Sequence, residues 1–211
     1  VRVGISQVGV LGMLDQVTKE SLVVFELSSW RLSALSPLKK SPHIAVLTNI
    51  YPDHLNYYKT MAAYQADKGN IFRFQKPSDI VIADFDNEEA RTMVQDAPGA
   101  ILFSSVKHGI EGDGAWLADE TLLVSEQGKE SVLLPLADIP LKGEHNTSNV
   151  LLAALASLAA GLSVKEIQQT MAATIALATA SGSELKKSVD VMTSVLSVFD
   201  MGADKSTDVA N

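Results

Sequence analysis

The segment "IAVLTNIYPDH", Ile44–His54, decides the fold, because an unbroken apolar run leads directly into a group of polar residues. The run Ile44–Thr48 lacks the polar alternation of a half-exposed strand and is typical of a strand covered on both faces. Similar apolar runs occur at Leu22–Leu27, Asp79–Ala83 and Ala100–Phe103. Helical patterns lie between or after these runs. We therefore predict an α/β fold with a doubly wound, mostly parallel sheet and flanking helices.

Two helices are predicted within this alternating region. Thr60 is a suitable N-cap for a helix over Met61–Phe74, and Asn87 is a suitable N-cap for a shorter helix that ends at Val94. Both side chains can accept a hydrogen bond from the free N–H groups of a first helical turn.

Two further helices are predicted near the end of the sheet region. The Ala/Leu-rich stretch Asn149–Gly161 ends on a glycine, which suits the residue after a helix C-terminus. Ser163 and Glu166 have the spacing of a capping box for the helix that carries Ile167.

Two regions depart from the strand–helix alternation. Residues 112–141 alternate in part and contain a turn signal at Gln127–Gly128, which predicts a small antiparallel patch joined to the main sheet. The stretch from Ala178 fits either a helix capped by Ser181 or a strand, and the pattern does not decide between them.

Composition narrows the class of protein. The chain has 211 residues, 46% of them hydrophobic and 20% charged, which is typical of a globular domain. We expect no membrane span, since no run of about 18 apolar residues occurs. The net charge of −8 argues against nucleic-acid binding. The absence of cysteine fits a reducing compartment, and we expect a cytoplasmic location.

Polar side chains follow three of the predicted strands. Glu26 ends the first, Asn49 with Asp53 and His54 follows the second, and Asp84 ends the third. In an open parallel sheet, ligands bind beyond the carboxyl ends of the strands. Taken alone, Asp84 is better explained as a strand-end cap or as part of a solvated turn, but the others together favour a ligand site. Carboxylates and hydroxyls suit Mg²⁺, and no compact His/Cys spacing supports the alternative, Zn²⁺.

Lys68 lies one helical turn from Tyr64, beside the apolar stripe of its predicted helix. Most such lysines extend to water. A partly buried lysine has a lowered pKa, so its neutral amine becomes accessible and can react with CO₂ to give an anionic carbamate. Both interpretations remain open at this point.

The segment "KGEHNTSN", Lys142–Asn149, combines a glycine turn with two asparagines near the start of the Ala/Leu helix. Asn146 and Asn149 offer donor and acceptor groups that can bind a purine edge. Helix capping by Asn146 or Thr147 is the structural alternative.

Four segments, taken in order, resemble the Mur ligases of peptidoglycan synthesis. The segments are "ELSSWRL" (Glu26–Leu32), "LTNIYPDHLNYY" (Leu47–Tyr58), "YQADKGNIF" (Tyr64–Phe72) and "KGEHNTSN" (Lys142–Asn149). The resemblance covers residues 1–177, which correspond to the central ATP-binding domain of that family. The resemblance implies that Glu26, His54 and a carbamylated Lys68 bind Mg²⁺, and that His54 also orients the acyl substrate. It implies that Asn146 and Asn149 contact adenine. It further implies that Asn49 and Ser28 support the site and that Gln7 contacts the substrate.

The resemblance also implies a reaction. ATP phosphorylates the carboxylate of UDP-N-acetylmuramoyl-L-alanine, and D-glutamate then attacks the acyl phosphate to form an amide. The double serine after Glu26 favours this D-glutamate-adding branch. The family's Gly-rich phosphate loop and the opening motif of its C-terminal domain are not found in the chain. We therefore expect a central-domain fragment with a separate tail over residues 178–211, inactive alone.

Two alternatives remain. The first is a noncatalytic nucleotide-binding or interaction module of the same fold. The second is a folylpolyglutamate-type acid–amino-acid ligase.

Overall fold

The computed structural model describes residues 2–3, 14–15, 17–19, 21–141 and 143–181. The strands within this part of the chain are β1 (Arg2–Val3), β2 (Val24–Phe25), β3 (Ile44–Leu47), β4 (Ile80–Asp84), β5 (Ala100–Ser105), β6 (Gly114–Ala118), β7 (Thr121–Glu126) and β8 (Lys129–Pro135). The helices are α1 (Ser29–Ser33), α2 (Leu35–Leu38), α3 (Leu55–Tyr58), α4 (Met61–Lys68), α5 (Glu88–Met93), α6 (Glu144–Ala159) and α7 (Val164–Ser181).

Within the described residues, one mixed sheet has six strands in the order β3-β4-β5-β6-β7-β8. The pairs from β3 to β6 are parallel, and the pairs from β6 to β8 are antiparallel. The predicted α/β fold, with a mostly parallel sheet and an antiparallel patch, is confirmed.

Helices cover both faces of the parallel part of the sheet. Alternate residues of β4 point to opposite faces, so Ile82 joins a core with α6 and α7, whereas Val81 and Ala83 join a core with α3, α4 and α5. All three side chains are fully buried. This two-sided burial explains why β3, β4 and β5 appear in the sequence as continuous apolar runs.

The predicted helix N-caps at three positions are confirmed. The Thr60 hydroxyl accepts a hydrogen bond from the Ala63 N–H at 3.2 Å, and the Asn87 side chain accepts one from the Ala90 N–H at 2.9 Å. At the start of α7, the Ser163 N–H donates to Glu166 at 2.7 Å, and the Glu166 N–H donates back to the Ser163 hydroxyl at 3.3 Å. These short-range signals need only a few adjacent residues, so they are visible in the sequence.

The helix predicted over Met61–Phe74 is too long. Helix α4 ends at Lys68, and a 3₁₀ turn follows over Gly69–Ile71. The buried Asn70 explains the break, because its side-chain amide donates to the Leu32 carbonyl and its own carbonyl accepts from the Ser41 hydroxyl. These long-range bonds hold the chain out of the regular helix.

The antiparallel patch is built from two tight turns. Asp119–Glu120 joins β6 to β7, and Gln127–Gly128 joins β7 to β8, at the position predicted. All four residues have positive φ, between 44° and 73°. Two consecutive positive φ values match the right-handed twist of the flanking strands.

The strand predicted over Leu22–Leu27 is wrong in length and in place. In this stretch only Val24–Phe25 forms a strand, and it pairs in parallel with Arg2–Val3 in a separate two-stranded sheet. Val24 and Phe25 are 60% and 46% exposed, because a two-residue ladder cannot cover its own faces. The expectation that three consecutive strands of one sheet deliver the polar residues is therefore corrected to two.

The helix predicted from Asn149 begins five residues earlier, at Glu144, and its end near Gly161 is confirmed by a φ of 95° at that glycine. Helix α7 continues to Ser181, past the predicted domain boundary at residue 178. Gln7 and the tail beyond residue 181 lie outside the described residues. Within the described part, no helix combines the length and the apolar character needed to cross a membrane.

Candidate active site

Lys68 is the last residue of α4, and its side chain is half-buried. The ammonium nitrogen lies 5.4 Å from the ring centroid of Tyr64, one helical turn earlier, as the spacing predicted. It also donates a hydrogen bond of 3.4 Å to the Asn49 carbonyl oxygen, two residues beyond the end of β3. Helix α4 and strand β3 therefore fix this amine at the carboxyl edge of the sheet.

Burial lowers the pKa of Lys68 below its usual value, while the nearby negative charges of Asp53 and Glu26 act in the opposite direction and raise it. The neutral amine is therefore more accessible than that of a free lysine. The same electrostatic coupling shows that the fold brings the two carboxylates into the neighbourhood of Lys68, although Glu26 and Asp53 are 27 residues apart in the chain.

His54 occupies the turn before α3 and has a φ of 55°, an uncommon conformation for a residue other than glycine. Asp53 supports this turn: one carboxylate oxygen accepts a 2.7 Å hydrogen bond from the His54 N–H, and the other lies 3.2 Å from the imidazole Nε2. The imidazole also packs against the indole of Trp30, with 4.4 Å between ring centroids.

Glu26 follows β2 directly and is exposed. Ser28 then precedes α1 with extended backbone angles and makes no side-chain capping bond. Helix α1 buries Ser29 and Leu32, and it packs against α4. The position of Glu26 near Lys68 therefore depends on the α1–α4 contact and not on the main sheet.

The two asparagines of the "KGEHNTSN" segment lie in the first two turns of α6. Asn146 is half-buried and Asn149 is exposed. The alternative that Asn146 or Thr147 caps the helix is wrong, because Gly143 occupies the N-cap position with a φ of 105°. A side chain there would also meet the His145 ring at 2.8 Å, so the turn requires glycine.

Helix α6 is tied to the same edge of the sheet by two contacts. The Ser148 hydroxyl donates to the Asp84 carboxylate at 2.9 Å, and Lys107 forms a 2.9 Å ion pair with Glu144. Asp84 also accepts a hydrogen bond from the Asp86 N–H at 2.9 Å, so its predicted role as a strand-end cap is confirmed. The Asn146–Asn149 pair and the Lys68 group therefore lie at one edge of the sheet, on helices that cover its opposite faces.

The donor groups around Lys68 suit a hard cation that takes some of its ligands from the protein and the others from a substrate. Among the described residues, no three or more His, Cys, Asp and Glu side chains come together as a complete metal centre. Mg²⁺ is commonly held by one or two carboxylates, with substrate phosphates and water completing the shell. Glu26, with the imidazole of His54 that Asp53 supports, fits that requirement.

Sequence reasoning missed two features of this region. Trp30 and Tyr57 join the His54 ring in one aromatic group, and the Asp84–Ser148 bond joins residues 64 positions apart. The aromatic residue directly after "ELSS" was a visible signal for the first, whereas no local pattern reveals the second. A separate cavity of about 400 Å³ lies beside α5 and contains none of the predicted site residues; it is lined by Phe85, Phe103, His108, Gly109, Ile110 and Glu111.

Comparison with curated proteins finds relatives that are named as amino-acid ligases. The chain is 36% identical over 146 residues to the UDP-N-acetylmuramoylalanine–D-glutamate ligase of Acetivibrio thermocellus, an alignment that covers 69% of this chain and 30% of the relative. It is 33% identical over 159 residues to the enzyme of the same name from Symbiobacterium thermophilum, covering 75% of this chain and 34% of the relative. The chain thus spans about a third of the length of the curated relatives it matches.

Among solved structures, MurF from Acinetobacter baumannii aligns with a TM-score of 0.56 and 20% sequence identity, over 76% of this chain and 36% of that protein. This similarity supports the fold. Residues 5–157, most of the chain, match the family model described as the Mur ligase middle domain. The chain therefore belongs to the Mur ligase family, through that middle domain.

Proposed function

We propose that this chain is the middle domain of an ATP-dependent ligase that joins D-glutamate to UDP-N-acetylmuramoyl-L-alanine in the cytoplasm. The observation that carries the proposal is the half-buried Lys68 amine, hydrogen-bonded to Asn49 and coupled to Asp53 and Glu26 at the carboxyl edge of the sheet. The names of the relatives from A. thermocellus and S. thermophilum support the choice of D-glutamate.

In this proposal Lys68 becomes an anionic ligand. Its neutral amine attacks CO₂, a nitrogen–carbon bond forms, and the nitrogen loses a proton to water, which leaves a carbamate anion. The partial burial that lowers the Lys68 pKa favours this step, because it raises the fraction of neutral amine. The bond to the Asn49 carbonyl orients the side chain, since Nζ keeps one N–H after the reaction.

Glu26, His54 and the Lys68 carbamate would hold Mg²⁺. When bound, the ion supplies positive charge against the ATP phosphates and the acyl phosphate. Asp53 holds the His54 turn through its hydrogen bond to the backbone N–H, and it keeps its second carboxylate oxygen near the imidazole. These contacts orient the imidazole toward the site before any ligand arrives.

Asn146 and Asn149 would bind adenine from the first two turns of α6. Both amide side chains carry a donor and an acceptor, as the edge of a purine requires. The Ser148–Asp84 bond and the Lys107–Glu144 ion pair keep this helix end at the carboxyl edge of the sheet. Ser28 and Gln7 are proposed to face the acyl substrate.

A chimera tests the proposal. Residues 1–177 would replace only the aligned segment of the A. thermocellus relative, so that the relative supplies the Gly-rich phosphate loop and the C-terminal domain. Phosphate release from ATP would be measured with UDP-N-acetylmuramoyl-L-alanine and D-glutamate. We expect phosphate release that depends on both substrates and yields an amide product, and no release with a folate substrate and L-glutamate.

The unaltered relative is the positive control, and the chimera carrying Lys68→Ala is the negative control. A folded chimera that binds ATP but forms no product would favour the noncatalytic module. Product formation only with the folate substrate would favour the folylpolyglutamate-type ligase.

A further inference from the structure

The His54 imidazole has an aromatic neighbour from a different helix. Its ring centroid lies 4.4 Å from that of Trp30 in α1, with the ring planes tilted by 49°. Trp30 in turn meets the Tyr57 ring of α3 edge-on, with 5.8 Å between centroids and an angle of 89°. The three rings join α1 to α3 across the turn that carries His54.

Trp30 holds the imidazole in a way that its polar partner cannot. Asp53 contacts His54 at Nε2, at 3.2 Å, and so occupies a nitrogen that a metal ion would need. The indole packs against the ring itself, and this contact uses no hydrogen bond of either ring nitrogen. The other aromatic neighbour of His54, Tyr64, is more distant, with 6.5 Å between centroids.

We propose that Trp30 is a positioning residue for His54. Trp30 would hold the imidazole in place while Nε2 leaves the Asp53 carboxylate and binds a divalent cation. The inference rests on the proposed function, because it takes His54 as a metal ligand. It adds Trp30 to the site and explains its role. His54 has a left-handed backbone conformation, with a φ of 55°, and the Trp30 ring supports its side chain.

A purely structural role for Trp30 makes a different prediction. Trp30 is 43% exposed and could act only as one of several apolar surface residues that pack between helices. In that case any apolar side chain of similar size would replace it without affecting His54. A positioning role requires a flat aromatic face, so Trp30→Phe should preserve it and Trp30→Leu should not.

The first measurement follows the imidazole in the metal-free 211-residue chain by NMR. The carbon-bound protons of the four histidines are recorded, and His54→Gln identifies the His54 signals. We expect the Trp30 ring current to displace these signals in the natural chain. The displacement should be smaller in Trp30→Phe and absent in Trp30→Leu.

The second measurement adds Mn²⁺, which accepts the ligands of Mg²⁺ and broadens nearby signals. The Mn²⁺ concentration that half-broadens the His54 signals should change less than about twofold in Trp30→Phe. It should rise about threefold to tenfold in Trp30→Leu, as loss of one aromatic contact predicts. Leu38→Ala is the matched control, since Leu38 lies on the next helix, α2, and is 63% exposed; it should leave the midpoint unchanged.

Thermal unfolding shows whether each variant is folded, and Trp30→Met replaces Trp30→Leu if the latter is not. Natural His54 shifts, or a natural Mn²⁺ midpoint, in the aliphatic variant would overturn the proposal. His54 signals that never broaden in the natural chain would remove His54 from the metal site and would overturn the proposal with it. An inactive chimera whose His54 signals still broaden with Mn²⁺ would count against the proposed function alone.

Discussion

The carboxyl edge of the sheet carries two pairs of acidic residues in opposite environments. At the ends of β4 and β5, Asp86 accepts hydrogen bonds from the Ser105 hydroxyl at 2.6 Å and the Val106 N–H at 2.7 Å, and its side chain is only 7% exposed. Asp84 accepts from Ser148 and from the Asp86 N–H. The protein itself supplies the partners of both carboxylates.

Beyond β3 and β2 the carboxylates have few partners. Asp53 is 64% exposed, and it contacts its own neighbour, His54. Glu26 is exposed and, among the described residues, receives no hydrogen bond. A carboxylate whose lone pairs are already used stabilises the fold, whereas one with free lone pairs can bind a ligand. This difference separates the structural pair, Asp84 and Asp86, from Glu26 and Asp53 beside the candidate metal site.

The largest expected effect is at Lys68, which lies near Glu26 and Asp53. In the chimera, Lys68→Ala should lower the rate of amide formation by about 10²–10³, because the anionic carbamate would be lost as charge shifts onto the acyl phosphate. A short carboxylic acid in the medium should restore part of the rate by occupying the vacated space. Lys40→Ala, at an exposed lysine, is the control. Near-normal turnover by a stable Lys68→Ala chimera would mean that this side chain only packs.

The second-largest expected effect is a loss of stability on substituting Asp86, one of the two carboxylates whose partners the protein supplies. Asp86→Ala removes two charge-assisted hydrogen bonds and leaves the Val106 N–H without its acceptor, so the free energy of unfolding should fall by about 2–3 kcal/mol. Asp53→Asn, which keeps an oxygen acceptor for the His54 N–H, should change it by less than about 0.5 kcal/mol, since that side chain is exposed. Urea unfolding of the 211-residue chain measures both variants. Equal losses would show that the two acidic pairs do not differ as described.

Local signals in the sequence were sufficient for much of the fold, but not for the contacts that distinguish the two pairs. The caps at Thr60, Asn87 and Ser163 and the turn at Gln127–Gly128 each depend on a few adjacent residues. The strand over Leu22–Leu27 was wrong because apolarity does not reveal which strands are available for pairing.

In the candidate site, too, local features could be predicted from the sequence, whereas contacts between distant segments could not. Helical spacing correctly placed Lys68 beside Tyr64, and strand ends correctly placed Asn49 at the sheet edge. The Ser148–Asp84 bond and the packing of Trp30 on His54 join distant segments, and they exist only once α1 and α6 have packed. The polar residues before Asn149 also hid the start of α6, because the Ala/Leu-rich pattern begins only after them.

Acid unfolding extends the comparison to the amino edge of the sheet. Hydrogen bonds from the Lys76 N–H and from His43 lower the pKa of Asp79. The ionised Asp79 carboxylate therefore stabilises the folded protein at pH values above 3.8, the usual pKa. This contribution is lost as the pH falls through the lowered pKa. Burial raises the pKa of Asp84, so stability decreases as pH rises from 3.8 through the raised value.

The cost of Asp79→Asn should therefore increase from pH 3 to pH 7, whereas the cost of Asp84→Asn should decrease. Urea unfolding of both variants and the natural chain across this range gives the two slopes. Slopes of the same sign would contradict the assignment of these carboxyls to opposite environments.

The smallest effect concerns the charges around Lys68. Asp53→Asn and Glu26→Gln should each leave the free energy of unfolding within about 0.5 kcal/mol of the natural value. Both carboxylates raise the pKa of Lys68, so removing either charge should increase the fraction of neutral amine and speed its reaction with an amine reagent at pH 7. Water screens these exposed charges, so we expect only about a twofold increase. Mass spectrometry of labelled Lys68 relative to Lys40 measures this change. Slower labelling in either variant would mean that the substituted carboxylate does not stabilise the ammonium form of Lys68.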